Sequence, residues 1–175
     1  MSARGVGEVV ESLHPDFKAG DLAFGDCGWQ VYAALPGKSL MKLPQVTPLS
    51  HLLSVFGISG LTAYFGLTEV GQAKSGETVV ISAAAGAVGT FAGQIAKILG
   101  CRAVGIAGGP AKCASLRESY GFDAAIDYKG KDIDVLARDV HEACPQGVDV
   151  YFDNVGGACL DAALMALNVK ARVVL

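Results

Sequence analysis

From about residue 76 onward, short apolar runs alternate with longer stretches in which apolar residues recur at helical spacing. The strand-like runs are Glu77–Ser82, Arg102–Ala107, Ala124–Asp127, Val148–Asp153 and Ala171–Leu175. The helix-like stretches are Thr90–Leu99, Ala111–Tyr120, Ile133–Ala143 and Ala158–Leu167. This alternation predicts an α/β domain made of βαβ units around a parallel sheet. Because the strands are apolar along almost their whole length, we expect helices on both faces of the sheet.

The first part of the chain has a different pattern, with short alternating runs between turns. The runs Gly5–Glu11, Gly20–Gly25 and Trp29–Tyr32 predict three antiparallel strands, which are too few to close a barrel or a sandwich. The residues that follow have helical spacing and link this β segment to the sheet. The predicted division is therefore a partial β domain over 1–47, linking helices over 48–75 and an α/β domain over 76–175.

The turn after the first strand of the α/β domain has a glycine pattern between a strand and a helix. Gly86 would let the backbone approach an anion closely, and Gly89 would let the helix pack on the strand. The free N–H groups of the first helical turn, at Ala87, Val88 and Gly89, would face that anion. This context predicts a dinucleotide-binding turn in a doubly wound Rossmann-type sheet, with five of the usual six strands. Because Ala84 replaces the usual first glycine, a glycine-rich turn without a ligand is the alternative.

Composition narrows the function further. The chain has 175 residues, of which 51% are hydrophobic and 23 are glycine, enough for a closed core with many tight turns. Its formal charge of −3 provides no excess of positive charge that would favour binding to nucleic acid or to an anionic membrane. No apolar run approaches the roughly 18 residues of a spanning helix. The five cysteines are widely spaced, so we expect reduced thiols and a cytoplasmic protein.

The residues after the second strand of the sheet favour one cofactor. An NAD-binding domain places a carboxylate there to bind the ribose hydroxyls, but Ala107–Lys112 contains no acid and one cation. A carboxylate would repel a 2′-phosphate and an ammonium group would attract it. We therefore expect NADP(H), held by Lys112; a solvated lysine at a helix start is the alternative. Asn154 ends the fourth strand, at the edge where open parallel sheets bind ligands, and is also expected to contact the cofactor.

Seven stretches of the sequence, taken together and in order, resemble one family. They are Gly5–Ser12, Pro15–Asp21, Gly28–Tyr32, Gly60–Leu67, Ala83–Lys97, Gly105–Gly109 and Phe152–Gly157. The chain resembles the zinc-independent medium-chain reductases, in the branch of prostaglandin reductases, leukotriene B4 12-hydroxydehydrogenases, plant double-bond reductases and bacterial curcumin reductase. The resemblance implies that the β segment is part of a GroES-like catalytic domain. It also implies that the chain is an internal fragment of a larger two-domain enzyme.

The same resemblance implies roles for individual residues. Lys112 corresponds to the residue that contacts the 2′-phosphate, and Tyr128 to a tyrosine on the phosphate side. Asn154 corresponds to an asparagine that contacts the cofactor, and Gly108 lies in a matching loop. The predicted cofactor-binding set is Gly86, Ala87, Val88, Gly89, Gly108, Lys112, Tyr128 and Asn154.

The reaction implied by the resemblance is the reduction of an activated carbon–carbon double bond in a small α,β-unsaturated ketone or aldehyde. Hydride passes from NADPH to the β-carbon, and the resulting enolate needs hydrogen bonds where negative charge appears. Thr62 and Tyr64, in the linking helices, are predicted to line this site, with core packing as the alternative for Tyr64. The sequence identifies no residue as the proton donor.

We expect no metal site in this chain. The three histidines, His14, His51 and His141, are far apart, and none has a second ligand four residues further on. The cysteines form no cluster of the kind that holds a structural zinc. The predicted chemistry therefore depends on the cofactor and on hydrogen bonds alone.

Two other functions remain open at this point. One is an NADPH quinone reductase of the same superfamily, and the other is a catalytically incomplete nucleotide-binding fragment. The sheet lacks an edge strand and the β segment lacks partners, so both should pair with another surface. A homodimer is the expected form of the full-length protein.

Overall fold

The structure, a computed structural model, describes residues 3–175. They form two compact units, one ending at Ile58 and the other spanning Ser59–Leu175. The first unit is built on three antiparallel strands and the second on five parallel strands. The division into domains at residues 47 and 75 stays a prediction.

The sheet of the first unit has β2 (Leu22–Asp26) between β1 (Arg4–Glu8) and β3 (Met41–Leu43). Leu22 and Ala23 of the central strand are buried, whereas most other residues of this unit are exposed or half-buried. Short 3₁₀ helices occur at Gly37–Ser39 and Leu49–Leu52. The local core of this unit is therefore small.

The third strand of this sheet is not where the sequence pattern predicts it. Trp29–Tyr32 is irregular, and Met41–Leu43 pairs with β2 instead. Trp29 and Val31 are 83% and 90% exposed, so their side chains face no covered surface. The prediction is wrong because strand propensity reflects packing on neighbouring strands, which this alternating segment does not have.

The second unit contains alternating strands and helices. The strands are β4 (Thr78–Ile81), β5 (Arg102–Ala107), β6 (Ala124–Asp127), β7 (Val148–Phe152) and β8 (Leu167–Val174). The helices are α1 (Ile58–Phe65), α2 (Ala87–Ile98), α3 (Pro110–Tyr120), α4 (Ile133–Ala143) and α5 (Gly157–Leu164). A π-helical turn, Gly66–Val70, continues α1.

The five strands are parallel and lie in the order β6-β5-β4-β7-β8. The chain therefore runs outward from β4 in one direction and then returns to its other side, which is the doubly wound arrangement. This confirms the predicted fold class. β8 begins at Leu167, four residues earlier than predicted, and α5 ends at Leu164. A positive φ of 68° at Lys170 interrupts the regular pairing of β8 and hides its first half from a periodicity pattern.

The sheet is buried on both faces, and β4 shows this most clearly. Val79 and Ile81 contribute to a cluster that includes α2 and α3, whereas Val80 contributes to the opposite cluster, with α4 and α5. Successive side chains of a strand point to opposite faces, so a single strand supplies both cores. All four residues of β4 are buried, which explains the continuous apolar run.

Arg172, on the edge strand β8, forms hydrogen bonds with the segment that precedes β4. Its guanidinium donates two hydrogen bonds to the Glu77 carboxylate, at 3.0 and 2.5 Å. It also donates to the carbonyl oxygens of Gly71, Gln72 and Asp149 at 2.7, 3.0 and 3.2 Å, so all five of its N–H groups are used. The hydrogen bonds from Arg172 lower the pKa of Glu77, although burial acts in the opposite direction.

We expect Arg172→Met to lower the free energy of unfolding by about 2–3 kcal/mol, because it removes charge-assisted hydrogen bonds and leaves a half-buried carboxylate unpaired. Lys97→Met, which removes a more exposed pair with Asp123, should cost less than about 1 kcal/mol. Because the folded pKa of Glu77 is lowered, its stabilising contribution is complete above the unfolded pKa and is lost as pH falls through the folded value.

Urea unfolding followed by circular dichroism between about pH 7 and pH 3 measures both effects. The acid-dependent loss of stability should be smaller in Arg172→Met than in the unmodified chain. Equal costs for the Arg172 and Lys97 substitutions would contradict this account.

Candidate functional site

The turn after β4 is tied to both neighbouring strands. Ser82 donates its backbone N–H to the carbonyl of Phe152 at the end of β7, at 3.0 Å. Ala84 donates to the carbonyl of Ile106 in β5, also at 3.0 Å. The turn therefore lies at the carboxyl edge of the sheet, next to the point where the strand order reverses, which is where open parallel sheets bind ligands.

The first turn of α2 offers unused N–H groups at this edge. Gly86 is the N-cap residue, and its carbonyl accepts the first helical hydrogen bond, from Thr90 at 3.0 Å. No side chain of the described residues caps this end. The backbone N–H groups of Ala87 and Val88 therefore have no helical partner, and the helix dipole makes them suitable for an anion.

Two glycines of this turn have different physical reasons to be glycine. A Cβ atom on Gly89 would stand 2.6 Å from the Cα and 2.8 Å from the carbonyl carbon of Ala84, so the helix can approach the turn only without a side chain there. A Cβ atom on Gly86 would meet only the carbonyl oxygen of Ala83, at 3.0 Å. Gly86 is exposed, so its missing side chain leaves room for a ligand.

The alanine that replaces the usual first glycine is accommodated by another glycine. Ala84 is fully buried. A Cβ atom on Gly105 in β5 would stand 2.8 Å from the Ala84 methyl group. The Ala84 methyl group therefore has space because Gly105 carries no side chain, and the turn keeps its approach to the sheet.

The loop after β5 is held by a carboxylate from β6. Asp127 accepts hydrogen bonds from the backbone N–H groups of Gly109 at 2.7 Å and Lys129 at 3.0 Å. These bonds, led by the one from Gly109, lower the pKa of Asp127. Gly109 has a φ of 100°, which only glycine adopts readily, and α3 begins at the next residue. Lys112, in the first turn of α3, is exposed.

Two side chains from the end of β6 lie against the same loop. The Tyr128 hydroxyl is 3.1 Å, and the Lys129 Cε atom 3.2 Å, from the point where a Cβ atom on Gly108 would stand. A side chain on Gly108 would therefore displace the ends of the Tyr128 and Lys129 side chains by a few tenths of an ångström. Sequence reasoning missed Lys129; the signal was a second cation beside Tyr128, immediately after a predicted strand.

Asn154 follows β7 and is exposed at the same edge of the sheet. Its side-chain Nδ2 donates to the carbonyl oxygen of Ser82 at 2.8 Å, and its backbone N–H donates to the Ser82 hydroxyl at 2.7 Å. Asp153, which the sequence left unassigned, accepts a hydrogen bond from that hydroxyl at 2.8 Å. The structure thus joins the ends of β4 and β7 through polar side chains.

The predicted cofactor-binding residues therefore come from the ends of four adjacent strands. They follow the sheet edge in the order Tyr128 after β6, Gly108 and Lys112 after β5, Gly86–Gly89 after β4, and Asn154 after β7. Their roles toward a cofactor stay predictions.

Thr62 and Tyr64 lie on α1, and both are exposed. The residues that α1 buries are Gly60 and Ala63, and the Tyr64 ring contacts Phe65 edge-on with 5.3 Å between ring centroids. Tyr64 is 50% exposed, so core packing does not account for it. Within the described residues no side-chain hydrogen bond joins Thr62 or Tyr64 to the cofactor-binding set, and their predicted role stays a prediction.

Three other kinds of feature could indicate a function for the described residues: a metal site, a membrane-spanning helix and a cavity. Across residues 3–175, no group of three or more His, Cys, Asp or Glu side chains is placed to hold a metal ion. None of the helices in that range has the length and apolarity needed to cross a bilayer. A cavity of about 650 Å³ lies in the first unit, between the β1 strand and the 27–40 segment, and contains none of the predicted site residues.

Comparison with known proteins gives matches along nearly the whole chain. The profile of the family described as zinc-binding dehydrogenase matches residues 87–175. The profile described as the N-terminal domain of oxidoreductase matches residues 1–43. The two matches fall on the α/β part and on the β segment, respectively.

Individual relatives agree with these profiles. The NADPH-dependent curcumin reductase of Escherichia coli (strain K12) is 47% identical over 171 residues, covering 96% of this chain and 48% of the relative. The 2-alkenal reductase (NADP(+)-dependent) of Nicotiana tabacum is 43% identical over 175 residues, covering 99% and 50%. The crystal structure of CurA in complex with NADPH from Vibrio vulnificus superposes with a TM-score of 0.88 at 41% identity, covering 99% and 51%. The chain thus spans about half the length of the proteins it matches.

The two glycines of the turn should respond differently to substitution. Gly89→Ala places a methyl group against backbone atoms, so we expect it to lower the free energy of unfolding by about 1–3 kcal/mol. This loss would appear although alanine is favoured over glycine inside a helix by about 1 kcal/mol. Gly86→Ala, at the exposed N-cap, should change stability by less than about 1 kcal/mol.

Thermal and urea unfolding of the two variants measures this difference. A stable Gly89→Ala variant with unchanged unfolding would show that the close contact between α2 and the turn does not constrain residue 89.

Proposed function

The chain belongs to the zinc-binding dehydrogenase family, within the medium-chain dehydrogenases and reductases, and from this we propose that it is part of an NADPH-dependent reductase of activated carbon–carbon double bonds. The substrates would be small α,β-unsaturated ketones or aldehydes. Support for this reaction comes from the 2-alkenal reductase and curcumin reductase relatives. Within residues 3–175 no three His, Cys, Asp or Glu side chains lie together as ligands of a zinc ion would.

The observation that carries the cofactor assignment is the charge of the loop after β5. The segment Ala107–Lys112 contains no carboxylate, and the Oδ1 atom of the nearby Asp127 accepts two backbone N–H groups. Two cations lie nearby: Lys112 at the start of α3, and Lys129, which follows β6 and lies beside Gly108 and Gly109. A 2′-phosphate is the nucleotide group that these cations and the Tyr128 hydroxyl would attract.

Each part of the edge then has a proposed task. Gly86, Ala87, Val88 and Gly89 would bind the pyrophosphate through backbone N–H groups. Gly108 would leave space for the adenosine side of the cofactor. Asn154, which lies on the other side of β4, would contact the cofactor there. When bound, NADPH supplies the hydride. The chain would orient the cofactor and limit the access of water, with Thr62 and Tyr64 lining the substrate side.

The proposed assembly is a homodimer in the cytoplasm. β8 is an edge strand of the described sheet, and its residue Val169 is 93% exposed, which supports pairing with a second surface. Four of the five free cysteines are buried, and burial raises the pKa of the Cys144 thiol to about 11. Unreactive, unpaired thiols are typical of a reducing compartment.

We expect the chain to bind NADPH more tightly than NADH, and Lys112→Ala to weaken NADPH binding about ten- to a hundredfold. The reason is the loss of a charge-assisted contact with the 2′-phosphate. NADH binding should be nearly unchanged, because NADH lacks that phosphate. The measurement is a fluorescence titration of each reduced nucleotide.

Lys74→Ala is the matched control, since Lys74 is an exposed lysine that precedes β4 at the opposite edge of the sheet. It should leave the binding of both nucleotides unchanged. If Lys112→Ala weakens the binding of NADPH and of NADH equally, Lys112 does not contact the 2′-phosphate. If the unmodified chain binds neither nucleotide, the proposed function fails for this chain.

Turnover assays then distinguish an enone reductase from a quinone reductase and from a nucleotide-binding fragment. With NADPH present, we expect the chain to reduce an alkenal or enone. The measurements are the loss of NADPH absorbance and the identification of the saturated product. Faster reduction of a quinone than of any enone would favour the quinone reductase. Binding of NADPH without turnover of either substrate would identify the chain as a nucleotide-binding fragment of the enzyme.

A further inference from the structure

The amide group of Asn154 has a defined orientation. Its Nδ2 lies 2.8 Å from the carbonyl oxygen of Ser82. A carbonyl oxygen only accepts hydrogen bonds, so the nitrogen must face Ser82 and the oxygen Oδ1 must point away from it. Asn154 is exposed, and within residues 3–175 no hydrogen bond ends on its Oδ1.

A buried serine hydroxyl reinforces this orientation. Ser82 is fully buried. Its Oγ accepts the backbone N–H of Asn154 at 2.7 Å and donates its single hydrogen to Oδ1 of Asp153 at 2.8 Å. The direction of the second bond follows from chemistry, because a carboxylate can only accept. Ser82 therefore connects Asp153 to the backbone of Asn154.

The Asp153 carboxylate accepts the other hydrogen bonds formed near the end of β7. Besides Ser82, its Oδ1 accepts from the Tyr151 hydroxyl at 3.1 Å and from the backbone N–H groups of Val155 and Gly156 at 3.1 and 3.0 Å. Burial disfavours its charge, but these hydrogen bonds outweigh burial and lower the pKa of Asp153. The residues on both sides of Asn154 are thereby held by one ionised side chain.

The position of Asn154 along the sheet indicates which part of a dinucleotide it faces. The strand order is β6-β5-β4-β7-β8. Lys112 and Tyr128, proposed for the 2′-phosphate, follow β5 and β6, and the proposed pyrophosphate turn follows β4. Asn154 follows β7, on the opposite side of that turn, where the nicotinamide half of the cofactor would lie.

We propose that Asp153 is a positioning residue: acting through Ser82, it fixes Asn154 with its amide oxygen toward the crevice, where it accepts a hydrogen bond from the nicotinamide half of the cofactor. The group recognised there is a hydrogen-bond donor, a ribose hydroxyl or the carboxamide N–H. This inference rests on the proposed function. It assigns Asp153 and Ser82 no contact with the cofactor themselves.

The test is a double-mutant cycle read with two ligands. Asp153→Asn keeps the size of the side chain but weakens its capacity to accept several hydrogen bonds, and Asn154→Ala removes the oriented amide. We expect each single variant to weaken NADPH binding about tenfold, and the double variant to bind no worse than Asn154→Ala alone. Binding of adenosine 2′,5′-bisphosphate, which lacks the nicotinamide half, should be unchanged in all three variants.

Two further variants keep the test decisive. Asp149→Asn is the matched control, because Asp149 is a carboxylate within β7 that accepts hydrogen bonds from Thr78 and Asn168, at 2.8 Å each. It should leave NADPH affinity unchanged. Ser82→Ala replaces Asp153→Asn if the latter fails to fold; it removes the relay and should weaken NADPH binding only when Asn154 is present.

The outcomes separate this inference from the proposed function. Equal weakening by Asp153→Asn in both backgrounds, or weakened binding of adenosine 2′,5′-bisphosphate, would show a purely structural role and overturn the inference alone. An unchanged NADPH affinity in Asp153→Asn would also overturn it. Failure of the unmodified chain to bind any of these nucleotides would overturn the proposed function, and this inference with it.

Discussion

The structure depends on the burial of a parallel sheet from both sides. β4 is buried along its whole length, and its residues Val79, Val80 and Ile81 supply two separate apolar clusters, so a polar side chain at any of these three positions would lie in one core or the other. Polar groups can therefore gather only where the strands end. The carboxyl edge of the sheet is the place where the chain leaves the core and its backbone N–H groups become available. The burial of the strands thus decides where a ligand can be bound.

Close approach between backbone segments shapes this edge of the sheet. Gly89 lets α2 contact the turn, and Gly105 leaves space for the methyl group of Ala84. The close contacts of this turn therefore depend on glycines in two segments, α2 and β5. What matters physically is the absence of a Cβ atom at each contact, and not the spacing of glycines within one segment.

Carboxylates at this edge serve mainly to hold backbone. Asp127 accepts two N–H groups of the loop after β5, and Asp153 accepts two N–H groups of the loop after β7. Each has a lowered pKa because donors surround it. The Oδ1 atom of each acid is thus occupied by the protein's own backbone, and the exposed side chains of Lys112 and Lys129 add positive charge to the segments that follow β5 and β6.

The amino-acid sequence by itself determined the order of strands and helices along the second unit, the glycine turn, and the presence of a lysine and the absence of an acid after β5. Periodicity and local charge are properties of neighbouring residues, so they can be read without the fold. The resemblance supplied the reaction class, which no periodicity contains. Only the tertiary structure decided that Trp29–Tyr32 is not a strand, that Lys129 covers Gly108, and that Asp153 connects through Ser82 to Asn154. Ser82 and Asp153 are 71 positions apart in sequence, and the pairing of β4 with β7 brings them together, which no local pattern can record.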